Sequence, residues 1–257
     1  MGDHISSPAA TRYHAPVLRT IWAAFVAVVV TVPVASTVIL VAMFRSHAPA
    51  IDSLIRLWAR ALLAAAGIDL RVEGAERIDP KQRFVLVANH SSYFDIPCIF
   101  VAIPQPIRFM AKKSLFSIPI FGWSLARAGF IPIDRKNRRT AVKSFELAVE
   151  RIRKGNTVVV FPEEGRSRQR EMRPFQRGGF LLALRSGLPV LPVAIQGNFD
   201  VFRAGARRIT PGPVTVRVGT PIPTEGLTVR EKDRLLEESR GQISMMLSGD
   251  APQGGSG

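Results

Sequence analysis

From Thr20 to Phe44 the chain runs for 25 residues without a charged side chain, "TIWAAFVAVVVTVPVASTVILVAMF". As a helix this run extends about 37 Å at ~1.5 Å per residue, and a bilayer core is about 30 Å thick. A helix buried in a soluble core normally keeps a polar stripe, and this run has none. A cleaved signal peptide carries a shorter apolar stretch of about 7–15 residues. The run is therefore expected in the membrane. Pro33, near its middle, removes one backbone hydrogen bond and predicts a kink or two half-helices.

"HAPA" (47–50) predicts a turn, and "IDSLIRLWARALLAAAG" (51–67) predicts an amphipathic helix closed by Gly67. Asp52, Arg56 and Arg60 share one face, with Ile51, Leu54, Ile55, Trp58, Leu62 and Leu63 on others. Two placements fit: a surface helix packed on the domain, or a helix in the membrane interface with Trp58 and the arginines at headgroup level. Its position directly after a membrane segment favours the interface.

After Gly67 the pattern changes to short β-branched runs alternating with helical stretches. "LRVEGAERI", "RFVLVA", "IRFMA", "FIPI", "TVVVFP", "PVLPVAI" and "VTVRVG" read as strands. "YFDIPCIFVAI" reads as helical or irregular, and "FSIPIFGWSLARAG" as a poorly regular helix. "RRTAVKSFELAVERIRKG", "GGFLLALRSG" and "TVREKDRLLEESRGQISMMLSG" read as helices. This alternation predicts an α/β fold with a mostly parallel sheet flanked by helices. Three units are expected: membrane-associated helices over 1–67, an α/β domain over 68–249 and a disordered tail over 250–257.

The formal charge is +15, and between Arg127 and Arg185 fifteen Lys or Arg face six Asp or Glu. Such a block suits polyanions: anionic lipid, a phosphorylated substrate or nucleic acid. No basic stretch is interleaved with aromatics in the way that stacks bases, so nucleic acid is not expected. The single cysteine, Cys98, excludes an internal disulfide, and its neighbour Pro97 marks it as a small buried apolar residue. His4, His14 and His47 lie near the N-terminus, so a metal site in the body would have to be built from His90, Cys98 and carboxylates at no recognised spacing. No metal or cofactor is expected.

In parallel α/β sheets, ligands bind beyond the carboxyl ends of the strands. Three polar clusters fall there: "NHSSYFD" (89–95), "DRKNRR" (134–139) and "PEEGRSR" (162–168). In the first, Ser92 and Asp95 have capping-box spacing, which accounts for Asp95 as a helix cap and leaves His90 unexplained. If the chain turns after His90, Asp95 can instead accept from the imidazole Nδ1–H, leaving Nε2 to take a proton. No G-x-S-x-G nucleophile motif is present. A base without a protein nucleophile would act on a hydroxyl of the substrate itself, which describes direct acyl transfer to an alcohol.

These residues also resemble a known family. "NHSSYFD" matches the H-x4-D motif of the glycerophospholipid acyltransferases. "MAKKSLFSIPIFGWSLARAGFIPIDRKNRR" looks like the second block of the bacterial 1-acylglycerol-3-phosphate acyltransferases, "FPEEGRSR" resembles their F-P-E-G-T-R-S block, and "PFQRGGFLLALRSGLPVLPVAI" resembles the segment ending in their fourth. The resemblance covers roughly residues 84 to 196, and the N-terminal helices resemble the family's two-helix membrane-docking element. It implies a membrane enzyme with His90 as general base and Asp95 as its partner. Lys112, Arg135 and Arg166 are implied as grips for an acceptor phosphate, and Glu163 as an orienter of an arginine or a substrate hydroxyl. The implied donor is acyl-CoA or acyl carrier protein, and the implied acceptor is lysophosphatidate or another lysolipid such as lyso-ornithine lipid. The implied location is the inner (cytoplasmic) membrane with the catalytic domain on its cytoplasmic side and anionic lipid against the basic face. One departure stands out: Glu164 and Gly165 occupy the positions of the family's Gly and Thr. Arg138, Arg139 and Arg151 are expected to be surface charges, and Trp123 core or membrane-facing. A non-enzymatic basic membrane-binding module would explain the charge but neither His90 and Asp95 nor the ordered blocks.

Overall fold

A computed structural model describes residues 8–45, 48–134 and 138–249. The "HAPA" turn includes residue 47, and the expected tail spans 250–257, so both expectations reach outside the described residues. Seven strands form one sheet: β1 Ile68–Glu73, β2 Val85–Ala88, β3 Ile107–Lys112, β4 Ile131–Ile133, β5 Thr157–Val160, β6 Val190–Gln196 and β7 Gly212–Val218. Their order is β1-β7-β6-β2-β5-β3-β4. Every neighbouring pair is parallel except β6–β7, which is antiparallel. The helices are α1 Pro8–Phe44, α2 Pro49–Ala66, α3 Asp95–Ala102, α4 Phe121–Ala128, α5 Arg138–Arg153, α6 Gly178–Ser186, α7 Asn198–Phe202 and α8 Lys232–Ser248.

Alternation along the central strands divides the interior in two. In β2, Leu86 and Ala88 face the layer containing α1, α2 and α3, whereas Val85 and Val87 face the layer of α5, α6 and α8. With both faces covered, these strands are apolar throughout, as a parallel sheet requires.

Helix α1 is continuous through Pro16 and Pro33, so the expected pair of half-helices does not form. Leu18, Ile21, Trp22, Phe25, Val28 and Leu40 are exposed along it, while Ala23, Val38 and Ala42 belong to the core. Its segment Pro16–Phe44 is long and apolar enough to cross a membrane. A band of exposed apolar side chains this large would be unstable in water, which suggests membrane association.

Helix α2 is packed on the domain. Ile51, Ile55, Ala59 and Leu63 are buried in the same cluster as β2 and β6. Trp58 donates from Nε1 to Thr31 Oγ1 of α1 at 2.8 Å, so its polar atom is directed at a helix. Arg56 caps the carbonyls of Ile103, Pro104 and Gln105 after α3. Asp52 pairs with the buried Arg108 of β3 at 2.6 Å. Arg60 remains exposed. Gly67, at φ +72°, ends α2 as the expected C-cap, but the apolar core is continuous across this boundary.

Two local readings are corrected. "LRVEGAERI" is a strand only to Glu73, because Gly74 at φ +78° turns the chain into the short 3-10 helix Ala75–Arg77. "FSIPIFGWSLARAG" is α-helical only from Phe121. Before it lie the 3-10 turn Lys113–Ser117 and a γ-turn at Ile120, where φ is +63° and Phe121 N–H donates to Pro119 O at 2.6 Å.

Candidate active site

Strands β2 and β5 are adjacent and parallel, so the loops after Ala88 and Val160 leave the same edge of the sheet side by side. Asn89 fixes the first loop. Its side chain donates to Ile195 O at 3.0 Å and accepts from Ile195 N–H at 2.7 Å, extending the β2–β6 ladder by one side-chain rung. The second loop is tied to the first by Ser167 N–H donating to His90 O at 2.8 Å.

Between these anchors the chain turns sharply after His90 and enters α3 at Asp95. His90 Nδ1 lies 2.8 Å from Asp95 Oδ2. The same oxygen accepts the backbone N–H groups of Ser91 and Ser92 at 2.7 and 2.8 Å. One carboxylate therefore holds the imidazole and the amides of the turn before α3, whereas the N-cap of α3 is Phe94 with no side-chain cap, so the capping box is not formed. A carboxylate with its donors already in place only accepts, so Nδ1 carries the proton and Nε2 keeps its lone pair. The ring stacks on Phe161 at 4.0 Å between centroids and 13° between planes, which fixes its tilt.

Glu163 differs from expectation. It is buried, with Oε1 accepting the His90 N–H at 2.7 Å and Oε2 the Arg173 N–H at 2.8 Å. Each oxygen accepts one backbone donor, so the hydrogen bonds seen at Glu163 are to the main chain and not to an arginine side chain. It braces the His90 loop against the Arg173 segment. Burial pushes its carboxyl above the usual carboxylate range, against the lowering effect of the two amides.

Arg166 lies on the second loop with its guanidinium over the Tyr93 ring, 3.3 Å from the centroid. Its Nη1 is buried and has no hydrogen-bond partner. A cation oriented by stacking with an unmet donor beside the His90 loop is suited to an anionic ligand. Lys112 is exposed at the carboxyl end of β3, two strands from β2 and so about 10 Å across the sheet. Arg135 lies outside the described residues. Arg151 departs from the surface reading: its guanidinium packs beside Gly129 and Arg108, with Nε buried. Trp123 is exposed.

Glu164 is exposed at φ +55°, and its N–H donates to Phe161 O in the turn. This is the left-handed region, where Gly costs least. Backbone geometry thus accounts for a glycine at this position in the resembling block. Among the described residues no ion pair involves Glu164, whereas Arg170 pairs with Asp200.

An apolar cleft opens between α1, α2, α3, α4 and the sheet. Val38, Trp58, Phe100, Phe109, Phe121 and Phe130 line it. Ile96, the residue after Asp95, also reaches it, and Phe109 stacks on Phe161 at 5.7 Å. Two stacked ring pairs, Phe109 on Phe161 and Phe161 on His90, connect the cleft to the imidazole, which does not itself line it. Among the described residues no cluster of His, Cys, Asp or Glu is arranged to hold a metal ion. Buried Cys98, with its thiol pushed up to about 12 by desolvation, is not a nucleophile.

Sequence reasoning missed Phe161, Tyr93 and Asn198, the last of which donates to Asp95 Oδ1. Phe161 and Tyr93 sit inside the recognised motifs and were open to a reading as ring partners. Asn198 follows β6 with no local signal.

The acyltransferase family model matches residues 69–196. Over 175 residues the chain is 35% identical to the human 1-acyl-sn-glycerol-3-phosphate acyltransferase alpha, covering 68% of this chain and 62% of that one. Over 161 residues it is 32% identical to the chloroplastic enzyme BAT2 of that name from Brassica napus, covering 62% of this chain and 45% of that one. The chain thus spans about half to two thirds of the length of such curated relatives. The crystal structure of the 1-acyl-sn-glycerophosphate acyltransferase PlsC from Thermotoga maritima superposes with a TM-score of 0.78 at 26% identity, covering 93% of this chain and 98% of that one. In sequence and in fold the chain belongs to the acyltransferase family.

Proposed function

We propose that this protein is a membrane-bound 1-acylglycerol-3-phosphate O-acyltransferase, moving an acyl chain from a thioester to the free hydroxyl of lysophosphatidate to give phosphatidate. The observation that carries the reading is the His90–Asp95 pair, with Nδ1 held, on a loop tied to the one that bears Arg166 and linked through Phe161 and Phe109 to the apolar cleft. His90 Nε2 takes the proton of the acceptor hydroxyl as its oxygen attacks the thioester carbonyl. Asp95 stabilises the imidazolium so formed. The tetrahedral intermediate collapses, the C–S bond breaks, and Nε2 returns the proton to the leaving thiolate. No covalent enzyme intermediate is required.

The cleft suits an acyl chain, and the unmet Nη1 of Arg166 suits a phosphate oxygen, with Lys112 and Arg135 as further grips. Acyl-CoA or acyl carrier protein is the donor, and both are cytosolic. The catalytic domain accordingly faces the cytoplasm on the inner membrane, with α1 in the bilayer, α2 docking it to the domain and basic residues meeting anionic lipid. Domain limits of 1–67, 68–249 and 250–257 remain useful as functional segments, although α2 shares the core.

One observation favours a second acceptor: the exposed Glu164 carboxylate offers a negative charge to a cationic headgroup such as that of lyso-ornithine lipid. Purified full-length protein in mixed micelles, given labelled acyl-CoA or acyl carrier protein and a panel of lysolipids, decides between them. Labelled phosphatidate is the expected product, and His90→Ala should remove it. A label found only on an ornithine lipid would replace the acceptor, and no transfer to any lysolipid from either donor would overturn the reading.

A further inference from the structure

Only one oxygen of Asp95 faces His90. The other, Oδ1, accepts from Asn198 Nδ2 at 2.7 Å, and both side chains are fully buried. Asn198 opens α7 directly after Gly197, which turns the chain at φ +96°. A Cβ at Gly197 would collide with the Pro213 carbonyl, so the backbone there is tightly fixed and the start of α7 with it. The same Nδ2 lies 3.5 Å from Cys98 Sγ, one turn along α3 from Asp95, and Oδ1 lies 4.0 Å from that sulfur. That thiol, pushed up to about 12, keeps its proton and can offer it to Asn198 Oδ1. Because Asp95 only accepts, the amide is oriented with its N–H₂ toward the carboxylate.

We propose that Asn198 is a positioning residue of the His90–Asp95 pair. It lies just beyond residue 196, where the family-model match ends. Four donors then surround one buried carboxylate: His90 Nδ1–H, the Ser91 and Ser92 amides, and the Asn198 amide. The first three converge on Oδ2, and Asn198 is the donor to Oδ1. Without it, Oδ1 is buried and unmet, and the carboxylate is held through Oδ2 alone. The inference rests on His90 acting as the base.

The test uses full-length protein in detergent, with Asn198→Ala and the isosteric Asn198→Asp, both checked for folding by circular dichroism and thermal melting. One hydrogen bond to a charged group corresponds to about a tenfold to hundredfold loss in kcat, with donor and acceptor KM within about twofold of wild type. The downfield proton resonance of the His90 Nδ1–H, identified by its loss in His90→Ala, should shift in both variants. An Asn198→Ala protein that does not fold leaves the decision to Asn198→Asp, which preserves the volume. A folded variant with wild-type kcat and an unmoved resonance would overturn the proposal, as would a loss of activity that only tracks loss of folded protein. If wild type acylates no lysolipid, the functional reading fails, while the resonance still reports whether Asn198 holds the pair.

Discussion

Replacing Asp95 by Asn removes one charge at nearly constant shape. The new amide can face His90 with its nitrogen or its oxygen. The nitrogen would meet three donors at once, the His90 Nδ1–H and the amides of Ser91 and Ser92, all within 2.8 Å of Asp95 Oδ2 in the native protein. The oxygen therefore faces them and the amide nitrogen meets Asn198, whose side chain can rotate to offer its own oxygen. The Nδ1–H tautomer survives, and the loss falls on the imidazolium formed during proton transfer. Two unit charges about 4 Å apart interact by about 4 kcal/mol at an effective dielectric of about 20, or roughly 10³-fold in rate. This agrees with the about 10²–10⁴-fold associated with general-base catalysis. Steady-state kinetics of Asp95→Asn on lysophosphatidate in mixed micelles should show that fall in kcat, with an unchanged melting temperature and KM values near wild type. A folded Asp95→Asn enzyme retaining more than about a tenth of the wild-type kcat would refute the argument.

Three further outcomes are expected. Burial raises the Glu163 carboxyl above its ordinary value, so its contribution to stability is fully present below that value and is lost as pH rises through the higher folded pKa. Thermal melts across pH should therefore show wild type losing ground to Glu163→Gln as pH rises, while Glu163→Gln, with one amide left unmet, turns over more slowly. Glu164→Gly relieves a left-handed residue costing about 1–2 kcal/mol but loosens the unfolded chain by about 0.5–1 kcal/mol, so it should melt at or slightly above wild type, and Glu164→Val distinctly below. Asp52→Ala leaves Arg108 buried without its carboxylate and should cost about 3–5 kcal/mol, whereas Asp69→Ala, which breaks the exposed Arg71 pair, should cost under about 1 kcal/mol; equal melting temperatures for the two variants would contradict the packed role of α2.

What the sequence determined is what short-range spacing encodes. A charge-free run of 25 residues calls for an apolar environment wherever the chain goes, although the run did not reveal that α1 starts at Pro8 and continues through Pro33. Period-two and period-3.6 patterns place the strands and helices, and a histidine followed five residues later by an aspartate needs only one turn to bring the two side chains together. The limits of this reading are local as well. In "LRVEGAERI" and "FSIPIFGWSLARAG" apolar content does not reveal that Gly74 or Ile120 adopts a positive φ and breaks the element. Contacts set by strand order are not encoded in spacing at all. Because β2 lies between β5 and β6, the His90 amide meets Glu163, 73 residues away, and Asp95 meets Asn198, 103 residues away. The same packing turns Trp58 toward Thr31 and Arg56 toward the carbonyls after α3, away from the headgroup placement that the position after a membrane segment favoured. A buried polar atom has to find its partner among whatever the fold brings near, and only the tertiary structure decides which residues those are.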